Sequence, residues 1–461
     1  MTQSVVLLLL LIPASAIPQT TPIPSQQEMA SQIRAQFLHA WNSYHQYAWG
    51  HDELRPLSNQ PFDWYGSSLL MTQVDALDTM IVMGLNQQAD EDRRYIDTHL
   101  SFDKDVYVKN FEITIRLLGA LQSSYELTGD KRLLALADDL GTRLLPAFNS
   151  PTGMPYVNVN LKTGAVRGED TNPAEIGTLL LEFGTLSKLT HKPVYYEKAK
   201  RAMVELYNRR SAIGLFGDQI NVRTGQWTGN TANINGGSDS FYEYMLKAWK
   251  LFGDEDCHRM WEQSVAALNQ YAAQTVTNAD GTTNFWYGEA DRTTGARTGT
   301  EYGALAAFFP AELALSGDLE RARKLQDSNY KMWTTFGIEP ELIDYTSMKD
   351  LSAGYELRPE NIESAYYLYY FTRDPKYRQM GMTFYDSIVQ YCRTPSAFAA
   401  LSSVETKSQR DDMESFFFAE TLKYLYLLLA DPDRIDLHKT VFNTEAHPLN
   451  VDMLAVSGKS N

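Results

Sequence analysis

FEITIRLLGALQSSYELTGD, residues 111–130, decides the fold. Residues 111–127 are apolar on nearly every side, which suits a helix inside a larger body rather than one on its surface. The run stops at Leu-Thr-Gly-Asp, and the same kind of break recurs: LTHK ending at Lys192, LFGD at Asp254, LSGD at Asp318, FTRD at Asp374 and LLAD at Asp431. The steps are 56–64 residues, and an earlier break, MGLN, ends at Asn86. Before the breaks stand runs such as IESAYYLYYF (362–371). After them come charged, one-sided runs such as PVYYEKAKRAMVELYNRR (193–210) and PKYRQMGMTFYDSIVQYCR (375–393). A helix apolar all round belongs inside and a one-sided helix belongs on a surface. Seven breaks therefore predict seven inner/outer helical hairpins arranged in a ring, an all-α, (α/α)7 barrel. Strand signals are few and confined to loops, such as TTNFWYG at 282–288. An open α-solenoid would use shorter repeats, about 34–47 residues.

The 461 residues are 44% hydrophobic and 21% charged, enough for a large core. A net charge of −16 disfavours nucleic acid and anionic membrane surfaces as partners. It leaves neutral ligands, cations and other proteins. VVLLLLLI (5–12) followed by Pro13-Ala14-Ser15-Ala16 predicts a signal peptide over 1–16. Residues 17–28 read as a flexible linker and 29–455 as one domain. No other stretch is apolar enough to span a membrane, and GKSN at the end is not a KDEL-type signal. The expected location is the secretory pathway, secreted or in the endoplasmic reticulum (ER) lumen. Cys257 and Cys392 are compatible with one bridge or with two buried thiols.

Acids recur where the inner helices begin: Glu112, Glu175, Asp239, Glu301, Glu360 and Glu420, spaced 59–64 residues apart. Each lies about one helix length before its break, so the acids gather at one end of the barrel, under the longer connections. One acid there would simply cap a helix. Six in register would repel one another unless something uses them. Oxygen-rich clusters suit Ca²⁺, and paired carboxylates suit glycoside hydrolysis, one protonating the leaving oxygen and another activating water. No serine-hydrolase order, phosphate loop or zinc spacing is present; His39, His45 and His51 lie six apart.

Seven segments resemble glycoside hydrolase family 47, the class I α-1,2-mannosidases. They are HDELRPLS (51–58), VDALDTM (74–80), NFEITIRLLGAL (110–121), SDSFYEYMLKAW (238–249), LRPENIESAYYLYY (357–370), MESFFFAETLKYLYLL (413–428) and VFNTEAHPL (441–449). Within the family, 209–228 and 354–375 look most like the EDEM (ER degradation-enhancing mannosidase-like) branch. The resemblance implies a catalytic (α/α)7 barrel, Ca²⁺ as cofactor, inversion at the anomeric carbon, and removal of terminal α-1,2-linked mannose from high-mannose N-glycans. It implies Glu112 as general acid, Asp239 and Glu360 as the two candidates for the base, and Thr444 as the direct Ca²⁺ ligand. Glu360, Glu363, Glu420 and Glu445 would hold the ion's waters. Arg116, Glu175, Arg358 and Phe416 would bind substrate, with both arginines paired to the acids. The EDEM likeness also implies an alternative: a mannose-binding quality-control factor for misfolded glycoproteins with little activity on free glycans. Gly237 stands where processing enzymes carry a branch-selecting Arg, and Ala304 where they carry a His. Ala307 takes the place of a disulfide cysteine. Ser58 and Asn59 stand where EDEM proteins have a cysteine, so the cysteines do not support an oxidoreductase partner.

Overall fold

A computed structural model describes residues 23–277 and 281–452. The expected signal peptide, residues 17–22 and residues 453–455 lie outside it. Among the described residues fourteen helices alternate between two layers. The outer helices are α1 (Gln26–Tyr47), α3 (Asn86–His99), α5 (Lys131–Leu144), α7 (Val194–Tyr207), α9 (Glu255–Tyr271), α11 (Leu319–Phe336) and α13 (Pro375–Tyr391). The inner helices are α2 (Met71–Met83), α4 (110–128), α6 (173–190), α8 (Asp239–Phe252), α10 (304–316), α12 (Glu360–Thr372) and α14 (417–429). Each inner helix touches the next, and α14 touches α2, so the ring closes as an (α/α)7 barrel. Twelve of the thirteen residues of α2 are buried, as an inner helix requires.

The breaks have a simple physical content. Gly129 and Gly253 end α4 and α8 in the left-handed region, at φ 73° and 68°. There a residue without Cβ turns the chain at no steric cost. The aspartate that follows caps the next helix: Asp130 accepts from the Arg132 amide, Asp254 from Cys257, Asp318 from Arg321 and Asp374 from Lys376. Asp431 starts no outer helix. The N-terminal α1 packs on α14 instead and completes the seventh pair. That explains why α1 begins at Gln26, inside the stretch read as a linker. Ser25 and Glu28 form a reciprocal capping box at its start.

Strand content exceeds the sequence expectation. Short antiparallel hairpins fill most connections on the acid side, such as Glu301–Gly303 with Leu342–Asp344 and Lys349–Ser352. Glu301 lies on that sheet and is exposed, so it departs from the row of inward acids. The last hairpin, Thr440–Phe442 with Pro448–Asn450, behaves differently. Its tip, 443–447, enters the barrel and meets five inner helices. Asn443 donates to the Ile115 carbonyl of α4 and to Glu182 of α6. The Thr444 amide donates to the Tyr244 hydroxyl of α8, and Lys423 of α14 donates to the Ala446 carbonyl. His447 lies between Asp75 and Asp78 of α2. Cys257 and Cys392 are free and buried, so the bridge is absent. No described helix is long and apolar enough to cross a membrane.

At the break after α6 the left-handed position holds His191, at φ 58°, exposed. Replacing it with glycine should stabilise the fold by about 0.5–1 kcal/mol, because a Cβ costs energy in this region. Urea unfolding would measure it; a destabilised His191→Gly would contradict the account of the breaks.

Candidate active site

A cavity of about 340 Å³ opens at the acid end of the barrel. Its lining contains Glu112, Arg116, Glu175, Asp239, Arg358, Glu360, Phe416, Glu420, Thr444 and Glu445. An adjoining lobe of about 40 Å³ lies among Asp239, Glu243, Glu360, Glu363, Glu420 and Thr444. All eleven residues singled out from the sequence thus surround one space. Glu301 does not join them.

Two inner helices widen locally to present these groups. Thr114–Leu118 of α4 and Phe417–Thr421 of α14 are π-helical. Such a turn inserts a residue and re-aims its neighbours, a device frequent at functional sites. Glu112 lies just before the first and Arg116 within it, with Arg116 Nε 3.1 Å from the Glu112 carboxylate. Arg116 also reaches Glu445 at 3.5 Å and lies over the rings of Trp64 and Phe416. Glu445 and Glu420 come from the hairpin tip and the second π-turn. Leu357, just before Arg358, and Ala446, just after Glu445, sit at φ 63° and 57°, a strained backbone that the packed surroundings hold in place.

Arg358 does not take the partner expected of it. Its guanidinium forms a two-pronged pair with Glu341, at 3.0–3.2 Å. It stays close enough to Glu360 to oppose the effect of burial there. Phe416 lies beneath the Arg358 and Arg116 planes, 5.5 Å from each.

Burial dominates the electrostatics. It lifts Asp239 to about 7, and it lifts Glu360 well above the carboxylate range against the pull of Arg358. Glu360 Oε2 is buried without a hydrogen-bond partner. Burial, with Glu445 and Glu360 nearby, pushes Glu420 well up. Glu445 rises to about 8 by burial, opposed by Arg116. Glu363 rises to about 7 by burial, opposed by Lys247. The lobe is therefore a place short of positive charge.

Several supporting residues were missed from the sequence. Lys247, fully buried, stands 2.6 Å from Glu243, 3.3 Å from Glu312 and 3.8 Å from Glu363. Burial opposes its charge, but these acids outweigh it and hold the ammonium above its usual range. Asp239, Glu243 and Lys247 are spaced four apart on α8, so the helical period carried the signal for two of them. On the opposite side, His447 Nδ1 lies 2.7 Å from Asp78 and Nε2 3.0 Å from Asp75. Both ring nitrogens face carboxylates, which requires an imidazolium. Asp78 also pairs with Lys423 at 2.8 Å and is held down at about 2, by Lys423 and His447 against burial. Asp75 accepts from Ser415, and Ser415 accepts from Arg116 at 3.3 Å. A continuous set of buried bonds therefore runs from the hairpin tip to Glu112.

The sequence model of glycosyl hydrolase family 47 matches residues 36–451. The chain belongs to that family. It is 36% identical to a mannosyl-oligosaccharide 1,2-alpha-mannosidase of Arabidopsis thaliana, over 93% of this chain and 80% of that one. It is 35% identical to ER degradation-enhancing alpha-mannosidase-like protein 1 of Schizosaccharomyces pombe, over 91% and 56%. Its structure superposes on an alpha-1,2-mannosidase from Trichoderma reesei with a TM-score of 0.85 at 28% identity, covering 92% and 99%. Family membership makes the protein a glycoside hydrolase and agrees with the barrel and the position of its acid-lined cavity.

Lys247→Met removes one cation from among three buried carboxylates. The variant should lose about 3–5 kcal/mol of stability, the cost of leaving buried charge uncompensated. Denaturant unfolding of the purified variant would check this, and a loss under 1 kcal/mol would deny the network its electrostatic role.

Proposed function

We propose that the protein is a Ca²⁺-dependent, inverting exo-α-1,2-mannosidase that trims terminal α-1,2-linked mannose from high-mannose N-glycans in the secretory pathway. The observation that carries this reading is the convergence of Glu112, Asp239 and Glu360 on one cavity whose adjoining lobe reaches Thr444. The names of the relatives, 1,2-alpha-mannosidases among them, support the linkage and the sugar.

The residues suit Ca²⁺ by their chemistry. Thr444 and the surrounding glutamates offer only oxygen, which a hard cation prefers. The upward shifts of Glu363, Glu420 and Glu445 and the unpartnered Glu360 oxygen mark where positive charge is needed. Among the described residues no three His, Cys, Asp or Glu side chains are set to grip a metal directly. As the family resemblance implies, Thr444 would be the direct ligand, with Glu360, Glu363, Glu420 and Glu445 acting through water. When bound, the ion would supply a Lewis acid with open positions for sugar hydroxyls.

The protein's own groups do the rest. Phe416 offers an apolar face for the mannose ring. Glu112, oriented by Arg116, delivers a proton to the glycosidic oxygen. Asp239 or Glu360 takes a proton from the attacking water on the other face of the ring. Arg116 and Arg358 keep charge balanced as carboxylates ionise. The likeness to the degradation-enhancing protein favours a second reading, a quality-control factor acting on misfolded glycoproteins.

Incubation with free Man9GlcNAc2 decides between them. Mannose release with Ca²⁺, abolished by EDTA, is the expected outcome; binding without release would favour the quality-control factor. Glu112→Gln should lower kcat by about 10²–10⁴-fold with the fold intact, the range general acids contribute. Turnover like that of the parent would remove Glu112 from the acid role. Thr444→Ala should abolish the rise in melting temperature that Ca²⁺ gives the parent, since a ligand that binds only the folded state stabilises it. A melting temperature indifferent to Ca²⁺ and EDTA in the parent protein would contradict the metal site.

A further inference from the structure

Lys109 was not singled out by the sequence, yet it lines the main cavity. It is the last residue of the strand Tyr107–Lys109, which runs directly into α4 and carries Glu112 three positions on. The strand pairs Lys109 with Asn158, and the Lys109 amide donates to the Tyr65 hydroxyl, so the backbone is fixed. Its ammonium bonds Glu175 of α6 at 2.9 Å and stands 3.8 Å from Glu112. Glu175 is itself immobilised: Thr171 donates to one carboxylate oxygen at 2.8 Å and Asn172 to the other at 3.2 Å. Burial works against the Lys109 charge, but Glu112 and Glu175 more than offset it.

An ammonium has three donors. Glu175 takes one, and 3.8 Å to Glu112 is too long for a hydrogen bond. The remaining donors belong to a side chain that is 36% exposed, within the cavity. The wall nearby, Gly236–Gly237, carries no side chain that could use them. At Gly237 an added Cβ would meet nothing nearer than Asn172 at 3.5 Å. Lys109 is absent from the lobe that holds Thr444, Glu360 and Glu420. Glu112 likewise lines the main cavity and not that lobe, and it stands 3.8 Å from the Lys109 ammonium, so a glycosidic oxygen protonated by Glu112 brings the departing sugar within reach of Lys109.

We propose that Lys109 is a specificity-determining residue that donates hydrogen bonds to hydroxyls of the leaving mannose, with Glu175 as its anchor. The proposal rests on the mannosidase reading for the direction of the glycan. Lys109 does not serve the terminal mannose ring that rests on Phe416, and it selects branches by the hydroxyls their penultimate sugar presents.

The test uses the Ca²⁺-loaded protein carrying Lys109→Met, which keeps the length and loses the charge, and Lys109→Arg, which keeps the charge. With Man9GlcNAc2, Lys109→Met should raise KM about tenfold, the loss expected for a charged hydrogen bond. It should also change the order in which product isomers appear. Inhibition by 1-deoxymannojirimycin, a single-ring mannose analogue, should stay within twofold of the parent. Lys109→Arg should restore most of the KM. The same substitutions in the Glu112→Gln background, read by calorimetric binding of Man9GlcNAc2, separate this proposal from the enzymatic one. Absence of turnover in the parent would reject the mannosidase reading and leave the binding comparison intact. Equal glycan affinity with and without Lys109→Met, or an unchanged isomer order, overturns the proposal. So does a loss of single-ring inhibition in parallel with the glycan.

Discussion

The His447 imidazolium, shut between Asp75 and Asp78, anchors everything the site needs. It ties the tip of the C-terminal hairpin to α2, the inner helix farthest from it in sequence. With the tip fixed, Thr444 and Glu445 reach the cavity floor, and Asn443 bridges α4 and α6. Removing charged groups from water is expensive, so such an array holds only when every charge is answered. Lys423 answers Asp78, and Ser415 and Arg116 answer Asp75. The closing strand of the chain is thereby locked into a ring of helices that would otherwise enclose a hole.

The same rule explains the uneven charge of the barrel interior. One side, around Asp75, Asp78, Lys423 and His447, is balanced by its own cations. At the other, Lys247 serves Glu243 and Glu312 and reaches Glu363 only at 3.8 Å. Between them lies a lobe ringed by Glu360, Glu363 and Glu420, where carboxylates outnumber cations and resist ionisation. Stability alone gives no reason for this deficit. The proposed divalent cation would supply one, and its place next to Asp239 and Glu360 would join metal binding to the proposed chemistry of the attacking water.

The hairpins at the mouth supply a different kind of control. The connections that hold them deliver Lys109 and the bare Gly236–Gly237 wall to the cavity and Glu341 to Arg358. Arg358 illustrates the effect. It was expected to serve the catalytic carboxylates, and Glu341, from a loop sheet, takes its hydrogen bonds instead. Arg358 is thereby held over the Phe416 ring while it still opposes the burial of Glu360.

Much of the architecture was legible in the chain. Apolar-all-round runs alternating with one-sided runs demanded two layers, and glycine followed by aspartate marked three of the turns, after α4, α8 and α10, because the backbone needs a left-handed residue and then a cap. The acids at the starts of inner helices were legible for the same reason: helix period and helix length place them at one end. Glu301 broke the series because a strand preceded its helix, and a period of sixty residues does not reveal which connection folds into a sheet. The partner of α14 was illegible too, since α1 lies nearly four hundred residues away and nothing local links them. Composition and periodicity by themselves determined the layers, the seven-fold repeat and the acid-bearing end. Only the tertiary structure decided that the last hairpin fills the barrel, that Arg358 belongs to Glu341, and that Lys109 faces the cavity. Local propensity acts over one helical turn, whereas these contacts depend on which buried charges meet when the ring closes.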